Sequence, residues 1–213
     1  MILQKGDVFI LTGDSVTDCG RSRDLDDGGR DNVNGMGSGY PMLVKAYLNA
    51  MYPDLELTVI NKGVSGNRTS DILDRMESDH LRLKPDVVTL LIGINDVWRH
   101  FDNPQMRQID ADEYAANMDK ILAALKTAAR EVVVLSPFMV KKPDDDPMYK
   151  MALEYAALAK TAAEKAGVRF IDLQAVFNAK LTAADAGLYS GDTVHPSING
   201  HVLIADAVVK ELL

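Results

Sequence analysis

Five short runs of branched aliphatic residues recur along the chain: Val8 to Leu11, Leu57 to Ile60, Val87 to Ile94, Val132 to Leu135 and Val168 to Ile171. Their apolar character is nearly continuous. A strand with one wet face alternates apolar and polar residues, so an unbroken run marks a strand covered on both sides. The intervals are long enough to hold helices, predicted at about Tyr40 to Met51, Ser70 to Leu83, Ala111 to Arg130, Tyr149 to Lys165 and Pro196 to Leu213. Strands that alternate with helices and are buried on both faces form a parallel sheet between two helical layers. The expected fold is therefore α/β: a three-layer α/β/α, doubly wound arrangement around a five-stranded parallel sheet. The 213 residues, 47% of them apolar, suffice for one substantial core and are few for two, so a single domain over residues 1–213 is expected.

Charge and cysteine content narrow the partners. The net charge of −8 opposes binding to phosphate polymers or anionic membranes, so no nucleic-acid and no membrane partner is expected. No apolar run approaches the roughly 20 residues of a bilayer span, and the N-terminal residues lack the basic and apolar regions of a signal peptide. The one cysteine, Cys19, has no partner for an internal disulfide, which fits a reducing, cytoplasmic setting.

Four blocks carry candidate chemistry. The first strand runs into Gly13-Asp14-Ser15, which delivers a hydroxyl to a strand tip; Val59 to Asn67 holds Gly63; Leu90 to Trp98 holds Asn95; and Gly191 to His201 holds Asp192 and His195. A serine hydroxyl is a weak nucleophile until a base takes its proton, and His195 is the candidate base for Ser15. Asp192, three residues earlier, can fold back onto the other ring nitrogen and hold the useful tautomer. Strand ends of an open parallel sheet converge on one crevice, where these residues can meet. The Gly-x-Ser-x-Gly pentapeptide of the α/β-hydrolases is absent.

Other polar residues suggest less. Asp14 is expected to brace its turn, His201 to be packed in the last helix, and His80 and His100 have no ligand spacing around them. Asp24, Asp26 and Asp27 resemble half of a calcium loop, but Gly28 takes the next ligand position and no glutamate follows at the required distance. No metal and no cofactor is expected.

Taken together and in this order, the blocks resemble those of the SGNH (GDSL-type) hydrolases, with Ser15, Gly63, Asn95 and His195 on the four name-giving positions. The resemblance extends over almost the whole chain and implies a flavodoxin-like strand order 2-1-3-4-5. It also implies an oxyanion hole made of the Ser15 and Gly63 backbone N–H groups and the Asn95 amide. Within the superfamily, GDSVTDCGR (Gly13 to Arg21), GSGY (Gly37 to Tyr40), NKGVSGN (Asn61 to Asn67), IGINDVWR (Ile92 to Arg99) and VHPSINGH (Val194 to His201) are most similar to carbohydrate acetylesterases that act on xylan fragments. The implied substrate is a small acetylated carbohydrate or short-chain ester, and the implied state is a homo-oligomer. Trp98 and Arg99 are candidates to line the crevice, the one as a sugar platform and the other as a donor to hydroxyls. Relatives in that group often carry an aromatic residue just before the triad Asp, where this chain has Gly191, with Tyr189 two positions earlier. The alternatives are a short-chain carboxylesterase, thioesterase or lysophospholipase of the same superfamily, or a flavodoxin-like binding module without catalysis.

Overall fold

A computed structural model describes residues 1–25 and 34–213. Five strands, β1 (Val8–Gly13), β2 (Thr58–Gly63), β3 (Val87–Leu91), β4 (Glu131–Leu135) and β5 (Arg169–Ile171), form one sheet in the order β2-β1-β3-β4-β5. Every pairing is parallel. The flavodoxin-like order and the three-layer build are thus as expected from the sequence.

The continuous apolar runs have a direct structural cause. Successive strand residues point to opposite faces, and both faces are covered. Ile10, Val88, Leu90, Val132 and Val134 face one core with α6 (Ala111–Ala128) and α7 (Pro147–Ala166). Phe9, Leu11, Val87, Val133 and Leu135 face the other, with α2 (Tyr40–Met51), α8 (Leu173–Leu181) and α9 (Ile198–Leu212). Side-chain caps start the longer helices: Asp110, Asp146 and Ser197 accept the N–H groups of Glu113, Met148 and Gly200, while Gly167 in the left-handed conformation ends α7.

The elements differ from the sequence expectation where tertiary contacts intervene. The apolar run from Val87 continues to Ile94, yet β3 ends at Leu91 and α5 (Ile94–Asp102) begins at once. The run is shared by a strand and the first turn of a helix, so periodicity alone merged them. The single helix expected over Ser70 to Leu83 is instead α3 (Thr69–Asp74), α4 (Met76–Asp79) and a 3₁₀ turn at Leu81–Leu83, with the break at Arg75. Pro196 precedes the Ser197 cap rather than lying in the first turn of α9.

In register, Gly13 pairs with Gly63 on one side and with Leu91 on the other. The segments that follow β1, β2 and β3 therefore leave the sheet at the same edge. This edge, beside the point where the strand order reverses, is where an open α/β sheet forms its crevice.

Candidate active site

Asp14 caps the one-turn helix α1 (Ser15–Asp18), its carboxylate accepting the Val16 N–H at 3.0 Å. It is buried, and burial pushes it up to about 7 against the opposing effects of that N–H and of His195. The cap holds Ser15 at the first position of α1, in the helix N-terminal field. As expected, Asp14 braces the turn.

The Asp192–His195 loop is folded on itself. Ser190 and Pro196 form an antiparallel bridge, the Ser190 hydroxyl donates to the His195 carbonyl at 2.8 Å, and the Val140 N–H donates to the Thr193 carbonyl at 2.7 Å. One oxygen of Asp192 accepts the N–H groups of Val194 (3.0 Å) and His195 (2.7 Å), and the other lies 2.7 Å from His195 Nδ1. Partial burial would raise the Asp192 carboxyl, but the His195 ring and the backbone N–H groups outweigh it and hold the group at about 2. An ionised carboxylate only accepts, so Nδ1 carries the proton and the neutral ring presents its Nε2 lone pair. Ser15 Oγ stands 3.0 Å from that Nε2, 180 residues away in sequence. The structure thus brings Ser15, His195 and Asp192 into one hydrogen-bonded line.

Asn95 lies in the first turn of α5, and its side chain is held at both ends. Nδ2 donates to the Asn67 carbonyl at 3.1 Å, and Oδ1 accepts from Arg99 Nη2 at 3.2 Å. This fixes the amide flip and leaves a second Nδ2 proton available. Arg99 also pairs with Asp102 and lies 5.7 Å from the Trp98 ring centroid. Its fork therefore orients Asn95, a use that its expected role as a donor to substrate hydroxyls did not include. The Trp98 ring lies 5.6 Å from that of His195, so it borders the candidate base.

Gly63 requires correction. It is the last residue of β2, and its N–H is already donated to Asn61 Oδ1 at 2.8 Å, so it cannot serve an oxyanion. The glycine is needed for close approach: a Cβ there would lie 2.2 Å from the Asp18 backbone nitrogen, where α1 crosses the strand end. Gly66, three residues on, has the opposite properties. It is exposed at φ +81° with open space around its Cα, and its N–H has no partner among the described residues. Its neighbours anchor it to the site: the Ser65 N–H donates to Asp18 Oδ2 at 2.9 Å, and the Asn67 carbonyl receives Asn95. The sequence signal for Gly66 is the turn-forming run Ser65-Gly66-Asn67, whereas the Gly63 assignment comes from the family resemblance.

The remaining histidines and the thiol are structural. His201 Nδ1 accepts the Tyr40 N–H at 3.2 Å, which leaves its Nε2 proton directed at Cys19 Sγ, 3.2 Å away. Burial and the nearby His195 charge push His201 down to about 4, and burial pushes the Cys19 thiol up to about 12. His80 is buried against Thr12 Oγ1 at 2.8 Å, and His100 lies 3.1 Å from the Ile109 carbonyl. Asp26, Asp27 and Gly28 of the rejected calcium loop lie outside the described residues, among which no group of three His, Cys, Asp or Glu side chains could hold a metal. No described helix is long and apolar enough to cross a membrane.

Residues 11–203 match the model of the GDSL-like Lipase/Acylhydrolase family. The chain is 36% identical over 214 residues to an acetylxylan esterase of Geobacillus stearothermophilus, covering 100% of this chain and 96% of that protein. The crystal structure of Axe2, an acetylxylan esterase from that organism, superimposes with a TM-score of 0.93 at 37% identity, over 100% of this chain and 96% of the other. That of LAE5, an alpha/beta hydrolase enzyme from the metagenome of Lake Arreo, Spain, gives 0.94 at 34% identity, with 100% and 97% covered.

Proposed function

The chain belongs to the GDSL-like lipase/acylhydrolase family and is a carboxylic ester hydrolase, and on that premise we propose that it deacetylates xylo-oligosaccharide-like sugars through a Ser15 acyl-enzyme. The observation that carries the reading is the line Ser15 Oγ to His195 Nε2 (3.0 Å) and His195 Nδ1 to Asp192 Oδ2 (2.7 Å). Ser15 attacks the acetyl carbonyl while its proton passes to His195 Nε2, and Asp192 stays ionised to stabilise the imidazolium. The oxyanion is received by the Ser15 N–H, the Gly66 N–H and the free Nδ2 proton of Asn95, donors already oriented before reaction. Collapse of the tetrahedral intermediate breaks the bond to the sugar oxygen, which takes the His195 proton. Water then attacks the acetyl-enzyme by the same route in reverse roles, releasing acetate and restoring Ser15.

One structural feature supports a sugar alcohol. Trp98, half-buried with its ring 5.6 Å from that of His195, places an aromatic side chain beside the base, where a sugar ring can pack. The acetylxylan esterase named above favours the same substrate class. The free thiol of Cys19 suits a reducing compartment such as the cytoplasm.

A substrate panel tests this. Acetylated xylose and xylo-oligosaccharides should be deacetylated, and p-nitrophenyl ester turnover should fall from acetate through butyrate to almost nothing at octanoate. Octanoate outpacing acetate would transfer the protein to the lipase or lysophospholipase side of the family.

A further inference from the structure

Arg75 lies at the break between α3 and α4, with 13% of its side chain exposed, and touches neither Ser15 nor His195. Its Nε–H donates to Asn67 Oδ1 at 2.7 Å. Nη1 donates to the Lys62 carbonyl at 2.8 Å and to Asp79 Oδ2 at 3.1 Å, and Nη2 to the Gly13 carbonyl at 3.1 Å and Thr12 Oγ1 at 3.4 Å. A guanidinium has five N–H groups in a rigid planar fork, and here each has an acceptor.

Four of these five acceptors come from the segments that lead to the oxyanion donors, and Asp79 lies on α4. Gly13 ends β1, directly before Asp14 and Ser15; Lys62 is one residue short of the end of β2; and Asn67 follows Gly66. The Asn67 carbonyl in turn receives Asn95 Nδ2 at 3.1 Å. The Gly13 carbonyl also accepts the Val64 N–H at 3.0 Å and the Lys62 carbonyl the Thr12 hydroxyl at 3.3 Å, so Arg75 is a further, charged donor that ties these two strand ends together. Through Asn67 the same cation also holds the loop that follows β2. We propose that Arg75 is a positioning residue of the oxyanion site, fixing the Ser15 N–H, the Gly66 N–H and the Asn95 amide relative to one another. This rests on the oxyanion reading above. Lysine would keep the charge but has three donors on one atom, so it cannot span three segments at once. Donors displaced by a fraction of an ångström stabilise the developing charge less, while ground-state binding is little altered.

The test measures kcat and KM on p-nitrophenyl acetate, with kcat normalised to active sites titrated by an organophosphonate, for Arg75→Lys, Asn67→Ala, Asn95→Ala and the Arg75→Lys/Asn95→Ala pair. Arg75→Lys should lower kcat per site roughly 10- to 100-fold with KM within about twofold. Asn67→Ala, which cuts only the Nε link, should give the same signature at about 3- to 10-fold and decides the matter if Arg75→Lys does not fold. The loss in the pair should fall short of the product of the single losses by about fivefold or more, because both act on one site. Normal kcat per site in folded Arg75→Lys or Asn67→Ala, beside an impaired Asn95→Ala, overturns the role of Arg75 alone. So does a fully multiplicative pair, or a loss confined to thermal stability or to the number of titratable sites. Normal kcat in Asn95→Ala overturns the oxyanion reading itself, and Arg75's role with it.

Discussion

Replacing His80 by glutamine should change how stability responds to acid, and the size of the change follows from its surroundings. The ring is fully buried; Nε2 meets Thr12 Oγ1 at 2.8 Å, and Nδ1 has no partner among the described residues. Burial first, then the charge of Arg75, push its pKa from 6.5 down to about 4, with Asp79 opposing and Lys62 adding to the fall. His201 is lowered to the same value by burial and the His195 charge. Between those limits the unfolded chain binds a proton on each ring that the folded chain does not. Each histidine therefore contributes stability that is fully present above pH 6.5 and is lost as pH falls towards 4, about 1.4 kcal/mol per pH unit and about 3 kcal/mol in all. Asp14 and Asp96, both raised to about 7 mainly by burial, act with the opposite sign, since the folded state holds their protons while the unfolded state releases them. The wild-type profile from pH 6.5 to 4.5 should accordingly be nearly flat, two losses set against two gains. His80→Gln keeps a group that can meet Thr12 but cannot be protonated. Its stability relative to wild type should rise by roughly 2–3 kcal/mol over that interval, whatever the offset at neutral pH. Equilibrium urea unfolding followed by circular dichroism at several pH values measures this directly. Parallel profiles for the two proteins would show that His80 is protonated in the folded state and refute the reasoning.

Ser15→Ala and His195→Ala should each remove about 10⁴ to 10⁶ of kcat with folding intact, and Asp192→Ala somewhat less; losses in combined variants should not add, because the three act as one unit. Folded Ser15→Ala with normal turnover would end the serine-esterase mechanism. Asn95→Ala should lower kcat about 10²- to 10³-fold with little change in KM on p-nitrophenyl acetate, and a pure KM effect would contradict its assignment. Gly63→Ala places a Cβ 2.2 Å from the Asp18 backbone nitrogen and should destabilise by about 1–3 kcal/mol or more, whereas Gly66→Ala meets open space and bears only the strain of φ +81°, about 1–2 kcal/mol, while keeping its N–H. Thermal melts of both variants check the contrast, and an unshifted Gly63→Ala would refute the packing account.

Much of the architecture could be read from residue order because its causes are local or periodic. A strand covered on both faces must be apolar at consecutive positions, so β1, β2 and β4 were visible as runs, and the helices they alternate with imposed parallel pairing. The Asp192–His195 contact was legible for a similar reason, since three residues are enough for a side chain to fold back onto a ring. Where one apolar run served two elements, as from Val87 to Ile94, periodicity had no means of separating β3 from α5. What only the tertiary structure decided are choices between chemically equivalent candidates whose partners lie far away in sequence. Gly63 and Gly66 look alike as letters; the crossing of α1 over the end of β2 makes one a packing glycine and leaves the other an exposed N–H. Arg75 carries no mark of its use, because the strand-end carbonyls it holds come together only when β1 and β2 end at a common edge, whereas Arg99 reaches Asn95 within one turn of α5. Periodicity and short spacings report how a chain packs against its neighbours in sequence, whereas the availability of a hydrogen-bond donor depends on every segment that could take it, and those segments meet only in the folded protein.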